Sequence, residues 1–256
     1  MRLKNTTTIV TGAAHRVGKG IAIELASHGS NIVLHYNSSD EQAIATELEL
    51  KEFGVEVNRY KCDLSNGHDI KQMIHNIGEN VGQVNQLVNS ASMFKKQPFS
   101  EVTLDDWNKV MNVNLRAPFL LIKYVSELMI KNEGVDKGSI VNIADLSGVN
   151  AWYGYSHHGV SKAGLIHLTK VTARELAPHI RVNCIVPGPI LEPAGSQMDS
   201  SGWTNLISKL PLERTGGPKS IGETVRFLFS NDFITGAKIH VDGGESLIGS
   251  VIYRRD

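Results

Sequence analysis

The segment Thr11-Gly12-Ala13-Ala14-His15-Arg16-Val17-Gly18-Lys19-Gly20 closes a short apolar strand and opens a helix. Small residues at such a junction let the backbone turn tightly and approach a pyrophosphate. The helix N-terminus behind them offers free N–H groups and a favourable dipole. An ordinary strand-to-helix turn has a similar composition, so position has to separate the two. Here the turn is the first junction of an alternating chain, where a dinucleotide site belongs. The end of the second strand, His35-Tyr36-Asn37-Ser38-Ser39, bears on which dinucleotide. An acidic residue there would bond the ribose hydroxyls of NAD, but the first carboxylate is Asp40. Hydroxyls and amides suit a 2′-phosphate, with Arg16 or His15 supplying positive charge. NADP(H) is therefore the expected cofactor. Asp63, after the third strand, serves either an adenine contact or a turn or helix cap. Lys162 lies on an apolar stretch with Val160, Ala163 and Leu165, so its ammonium needs a polar partner. His158 precedes it by four residues and shares its helix face. His157 beside His158 suggests a metal pair, but no cysteine or carboxylate stands at ligand spacing, and no metal is expected.

These residues must be carried by elements that alternate. Strands are expected at Thr7 to Thr11, Asn31 to Tyr36, Val55 to Tyr60, Gln86 to Asn89, Gly138 to Ile143, Ile180 to Val186 and Lys238 to Val241. Helices are expected at Gly18 to His28, Asp40 to Phe53 (Ile44 and Leu48 spaced by four), His68 to Val81, Asp105 to Lys131, Tyr155 to Leu176 and Ile221 to Phe229. Strands joined by helices imply right-handed crossovers and a parallel sheet. The expectation is one α/β domain over residues 1–256, a Rossmann-type doubly wound sheet with helices on both faces. One irregular stretch, at about 187–215 and rich in proline and glycine, reads as a substrate loop. Trp203 falls within it.

Composition narrows the partners. The chain has 256 residues and 41% apolar content, enough for a buried core. Lys and Arg equal Asp and Glu at 26 each, so nothing points to nucleic acid or an acidic membrane. The two cysteines, Cys62 and Cys184, imply no disulfide framework. No signal peptide or membrane span is evident, and a cytoplasmic protein is expected.

Taken in order, Thr11-Gly12 with Gly18, Asn89-Ser90-Ala91-Ser92, Asn114, the end of strand five followed by Lys162, and Pro187-Gly188 resemble the short-chain dehydrogenase/reductase family. The resemblance runs from about Thr8 to Gly244. Within that family the chain looks most like the pteridine and dihydromonapterin reductases. Arg16 replaces a usual glycine of the first turn, Phe94 stands where those enzymes stack a ring on the pterin, and Asp145 replaces a serine after strand five. The resemblance implies a cofactor site of Gly12, His15, Arg16, Val17 and Gly18 from the first turn, with Tyr36, Asn37, Ser38 and Ser39 from the second strand end. Asp63, Leu64, Asn89, Ser90, Ala91, Lys162, Pro187 and Gly188 complete it. It implies a substrate site of Arg16, Ser92, Phe94 and Asp145, and catalytic roles for Asn114, Asp145, His158 and Lys162. Asn114 would hold a water in a proton relay. Asp145 would contact or protonate substrate, unless it merely caps a turn, and Phe94 could instead be a loop anchor. A homotetramer is implied as well.

The chain departs from the family at one point. The family's catalytic tyrosine precedes the lysine by four, where this chain has His158. The geometry survives but the acid changes, from a phenol that ordinarily ionises at about 10 to an imidazole that does so at about 6.5. Tyr155, one turn earlier, either packs or partly substitutes. Three functions follow: an NADPH-dependent reductase of a pterin-like or other planar substrate, a carbonyl reductase of 3-oxoacyl or sugar type, or a weakened NADP(H)-binding protein.

Overall fold

The computed structural model describes residues 3–192 and 200–248, with the side chains of Ser200 and Ser201 excepted. Among the described residues seven strands form one sheet: β1 (Thr7–Val10), β2 (Asn31–Tyr36), β3 (Val57–Lys61), β4 (Gln86–Asn89), β5 (Gly138–Ile143), β6 (Ile180–Pro187) and β7 (Lys238–Val241). Their order is β3-β2-β1-β4-β5-β6-β7, and every pairing is parallel. All residues of β1, β4 and β5 are buried, because helices cover both faces of the sheet. One apolar layer gathers Ile21, Leu25, Leu34, Val141 and Phe229; the other gathers Ile9, Ile74, Leu87, Leu121 and Ile140. The strand order reverses between β1 and β4. In such sheets the ligand crevice opens at that switch point, outside the carboxyl ends of the strands.

The helices are α1 (Arg16–Ser27), α2 (Asp40–Lys51), α3 (Gly67–Val81), α4 (Leu104–Met111), α5 (Ala117–Met129), α6 (Ser156–Glu175), α7 (Ser200–Ser208), α8 (Gly217–Ser230) and α9 (Glu245–Ile248). Among the described residues no helix is long and apolar enough to cross a membrane.

Three expectations need correction. The single helix expected over Asp105 to Lys131 is interrupted by a π-helical turn at Asn112–Arg116. Pro118, early in α5, has no N–H for the carbonyl four residues back, that of Asn114, and its ring crowds that carbonyl. The wider turn relieves the crowding and turns Asn114 inward. On α2, Ile44 and Leu48 face solvent at 46% and 61% exposure, while Ala43, Thr46 and Leu50 are buried. A spacing of four defines a face but not which way it points. Thr46 settles the direction, since its hydroxyl donates to the carbonyl of Ala14 at 2.8 Å. Finally, the expected loop at 187–215 contains α7, which carries Trp203; residues 193–199 of that loop lie outside the described residues.

A short 3-10 turn, Leu146–Gly148, follows β5 and lies against α6. A Cβ on Gly148 would stand 2.7 Å from the backbone nitrogen of Ala163 and 2.7 Å from the carbonyl carbon of Lys162. Only glycine allows this approach, which brings Asp145 up to the helix bearing His158 and Lys162. Gly148→Ala should therefore lose about 1–3 kcal/mol of stability through overpacking against backbone. Gly78→Ala is the contrast, because its methyl would meet only the tip of the Leu128 side chain at 3.0 Å. Urea midpoints check this. Equal midpoints for the two variants would contradict the packing argument.

Candidate active site

A cleft of about 810 Å³ runs along the carboxyl edge of the sheet. Each strand end supplies part of its wall: Gly12 after β1, Tyr36 at the end of β2, Asp63 after β3, Ser90 after β4, Asp145 after β5, Gly188 after β6 and Glu245 after β7. The turn at Gly12 is held from three sides. Gly12 has φ +66°, and a Cβ there would stand 3.0 Å from the Cα of Ala91. The Gly12 N–H donates to His35 Nδ1 at 3.1 Å, and the Ala13 N–H donates to the His35 carbonyl at 2.9 Å. The Thr11 hydroxyl oxygen accepts from the N–H groups of Ser90 and Ala91 at 2.9 and 3.0 Å. No side chain caps the N-terminus of α1, so its first N–H groups remain available at the cleft. Arg16, itself at φ +56°, reaches across to the Glu192 carbonyl at 2.5 Å.

At the β2 end the first carboxylate is already engaged. Asp40 accepts from the Tyr36 hydroxyl at 3.2 Å and from Lys61 at 2.8 Å. The hydrogen bond from Lys61, together with that of Tyr36, holds its carboxyl below the usual carboxylate range. The end of β2 and the turn after it present His35, Tyr36, Asn37, Ser38 and Ser39 to the cleft. Asp63 lines the cleft and also caps a turn, accepting from the Ser65 N–H at 2.8 Å.

The other half of the cleft holds the ionisable groups. Lys162 is 3% exposed and donates to the Ile143 carbonyl at 2.9 Å. Burial pushes its ammonium down to about 8, with the charge of Asp145 opposing. Asp145 accepts from the Ser147 N–H at 2.7 Å. Burial works against its charge, but the charge of the neighbouring His158 ring, with the hydrogen bonding of Ser147, outweighs that and holds the carboxyl below its ordinary range. Asp145 is thus an anion at neutral pH, suited to contact and not to proton donation. Glu245 behaves oppositely: burial first, then the charges of Asp145 and Asp242, push it up to about 7.

His158 is held by the loop after β4. Its Nδ1 lies 2.9 Å from the Met93 carbonyl, which can only accept, and 3.2 Å from Asn114 Nδ2, which can only donate; the shorter contact puts the proton on Nδ1. Asn114 clamps the same residue from both sides: its Oδ1 accepts the Met93 N–H at 2.8 Å, and its Nδ2 donates to the Met93 carbonyl at 3.0 Å and to the Ser161 hydroxyl at 3.2 Å. In neutral His158 the remaining Nε2 is therefore a bare acceptor. It has no hydrogen-bond partner and stands 3.8 Å from Asp145 Oδ1, too long for a hydrogen bond but right for an ion pair once the ring is protonated. Phe94 packs its ring 4.9 Å from both His158 and Tyr155, and remains 42% exposed toward the cleft. Tyr155 is buried, and burial together with Asp145 pushes its phenol up to about 12. It packs beneath Phe94 and Trp152.

The structure thus brings Gly12, His15, Arg16, Val17, Gly18, Leu64, Ser90, Ala91, Ser92, Phe94, Asp145, His158, Lys162, Pro187 and Gly188 to one cleft. Two expected residues lie behind its wall. Asn89 donates to Asn142 at 2.8 Å inside the sheet, and Asn114 bonds protein groups as just described. His157 is fully buried, and no group of three metal-ligating side chains occurs among the described residues. Sequence reasoning missed Thr11 and His35 as supports of the turn, Trp152 as a wall and Glu245 altogether. Glu245 carried a faint signal, since Gly243-Gly244 places it directly after the last strand.

Comparison with known proteins follows the same outline. A family model described as enoyl-(acyl carrier protein) reductase, of the short-chain alcohol dehydrogenase type, matches residues 12–246. The 3-oxoacyl-[acyl-carrier-protein] reductase FabG of Staphylococcus epidermidis is 33% identical over 243 residues, 94% of this chain and 98% of the relative. Among solved structures, the FolM alternative dihydrofolate reductase 1 from Brucella canis, complexed with NADP, superposes with a TM-score of 0.88 at 30% identity, covering 96% of each chain. A blue fluorescent protein from a metagenomic library, in complex with NADPH, gives 0.86 at 31% identity over 95% of this chain and 99% of that one.

His35 makes the turn sensitive to acid. Its Nε2 donates to the Cys62 carbonyl at 3.0 Å, and burial holds the ring down at about 4, opposed by Cys62 and Asp63. In the unfolded chain a histidine takes its proton near 6.5. The stabilisation from keeping His35 neutral is complete above about pH 6.5 and drains away as pH falls toward 4, at up to about 1.4 kcal/mol per pH unit. Urea unfolding between about pH 4.5 and 7 should follow this slope, and His35→Gln should flatten it. An unchanged slope in the variant would mean that His35 plays no part in the acid sensitivity.

Proposed function

The chain belongs to the short-chain dehydrogenase/reductase family, and from that premise we propose that it is an NADP(H)-dependent reductase of a small, planar, pterin-like substrate. The observation that carries this reading is the division of one cleft into a phosphate-accepting half and a half holding Lys162, Asp145 and His158 beside an exposed aromatic face. Bound NADPH supplies the hydride. The chain's own residues do the rest. Gly12 and the uncapped N-terminus of α1 admit the pyrophosphate. Arg16 and the hydroxyl and amide groups of Tyr36 to Ser39 receive the 2′-phosphate, while the first carboxylate after them in the chain, Asp40, is occupied by Tyr36 and Lys61. Lys162, buried and cationic at neutral pH, holds the nicotinamide ribose. Phe94 offers a flat face to the substrate ring. Trp152 and Trp203 face the same space.

His158 stands where the family places a tyrosine. With Nδ1–H committed to Met93, it delivers a proton only from the imidazolium form, through the Nε2 that lies 3.8 Å from Asp145 Oδ1. The likeness to the acyl-carrier-protein reductases favours a 3-oxoacyl substrate as the second reading. Against it stand Asp145 and Glu245, two carboxyl groups in the cleft wall that an anionic acyl carrier would have to face. For assembly we take a homotetramer, in keeping with the exposed apolar residues Leu104, Phe119, Val160 and Val171 along α4 to α6.

NADPH should bind at least about tenfold more tightly than NADH, since a charge-assisted phosphate contact contributes roughly 1.5–3 kcal/mol. Quenching of Trp152 and Trp203 fluorescence reads both affinities, and Arg16→Ala should narrow the gap. Equal affinities would sink the cofactor assignment.

With NADPH present, dihydropterin turnover should be measurable. Phe94→Ala should raise KM about 2- to 10-fold, the loss of one stacking contact, while leaving the NADPH affinity alone. Turnover of acetoacetyl thioesters without any pterin turnover would move the function to the second reading.

A further inference from the structure

Glu245 begins α9, immediately beyond the last strand of the sheet. It is 4% exposed and lines the cleft. Its backbone N–H donates to the Asp242 carbonyl at 3.1 Å. Asp242 in turn accepts the N–H groups of Gly244 at 2.9 Å and Ser246 at 3.0 Å. The turn is therefore shaped by Asp242, which leaves the Glu245 side chain no part in building it. Among the described residues nothing donates a hydrogen bond to the Glu245 carboxyl, and no cation pairs with it. The two cations best placed in the cleft wall are engaged elsewhere, Lys162 with the Ile143 carbonyl and Arg16 with that of Glu192. The nearest charges that bear on Glu245 are negative, those of Asp145 and Asp242.

The carboxyl oxygens of Glu245 meet the cleft, and a ligand that displaces water from them must supply donors in its place. The two oxygens of a carboxylate match a pair of adjacent N–H donors, which is the strongest geometry such a group can find. Phe94, Trp152 and Trp203 line the same space and favour a flat ligand. From this we propose that Glu245 is a substrate-recognition residue, whose carboxylate receives the N–H groups of an amidine-type edge on the substrate. The inference deepens the reductase reading above and rests on this cleft being its substrate site. It assigns the specificity: a ligand bringing nitrogen donors is accepted, and one bringing oxygen acceptors at the same edge is refused.

The test compares two ring systems that differ at that edge. Pterin carries a 2-amino group beside a ring N–H, and lumazine carries an oxo group in its place. Calorimetry on the wild-type protein saturated with NADPH should find pterin bound at least tenfold more tightly. Glu245→Gln should level the two affinities while NADPH still binds. Equal affinities in the wild type, or a preference that survives in Glu245→Gln, would overturn the proposal. The wild-type comparison needs no variant, so a misfolded mutant leaves the test intact. If neither ring binds, benzamidine becomes the probe. Benzamidine binding that Glu245→Gln removes upholds the recognition role while the pterin reading falls. No benzamidine binding, or binding indifferent to residue 245, overturns the recognition role too.

Discussion

One backbone carbonyl, that of Met93, organises the reactive half of the cleft. It accepts from Asn114 Nδ2 and from His158 Nδ1 at the same time. The first bond needs Asn114 turned inward, which the π-helical turn ahead of Pro118 provides. The second decides which nitrogen of His158 carries its proton. Because Asn114 also takes the Met93 N–H, the peptide groups on both sides of Met93 are fixed, and with them the start of the loop that presents Phe94. Loss of Asn114 would therefore loosen a ring, an imidazole and a strand end together, although it touches no ligand space itself.

The parallel sheet then explains why so many ionisable groups meet. Every strand points its carboxyl end at the same edge, so residues far apart in sequence share one low-dielectric cleft. Neighbouring groups there are pushed in opposite directions. Asp145 has donors and the His158 ring beside it and stays charged; Glu245 has burial and two anions beside it and is drawn toward the neutral form. Two carboxyl groups in one cleft so acquire two roles from their surroundings.

Much of the fold was legible because the central strands carry short apolar runs, Ile9-Val10, Leu87-Val88 and Ile140-Val141, with Gly12, Asn89 and Asp145 soon after them. The bounds expected for β2, β4, β5 and β7 agree with those observed. The helices were harder. Pro118 was visible in sequence, but a proline near the middle of an apolar run can kink, end or widen a helix, and only the packing of Asn114 selects among these. Ile44 and Leu48 looked like a core face because spacing carries no direction. In the site, ordered motifs led to Gly12, Asp145, His158 and Lys162. Glu245 lay outside any motif, and His35 stood in the second-strand motif with no role assigned to it. The work of His35 depends on a contact with Gly12 across 23 positions, and the place of Glu245 in the cleft wall on the turn that Asp242 shapes, neither of which a sequence displays.

The central claim is that an imidazole with its Nδ1–H committed to Met93 replaces a phenol as the proton source. Its most direct measurement is the pH dependence of the single-turnover rate of NADPH oxidation, between about pH 5 and 9, for wild type, His158→Tyr and His158→Gln on one accepted substrate. With the imidazolium as donor, the wild-type rate falls about tenfold per pH unit beyond a single ionisation. The fall should vanish in His158→Gln and move to more alkaline pH in His158→Tyr. A wild-type profile reproduced unchanged by His158→Gln would contradict the claim, and would pass the proton to another group in the cleft.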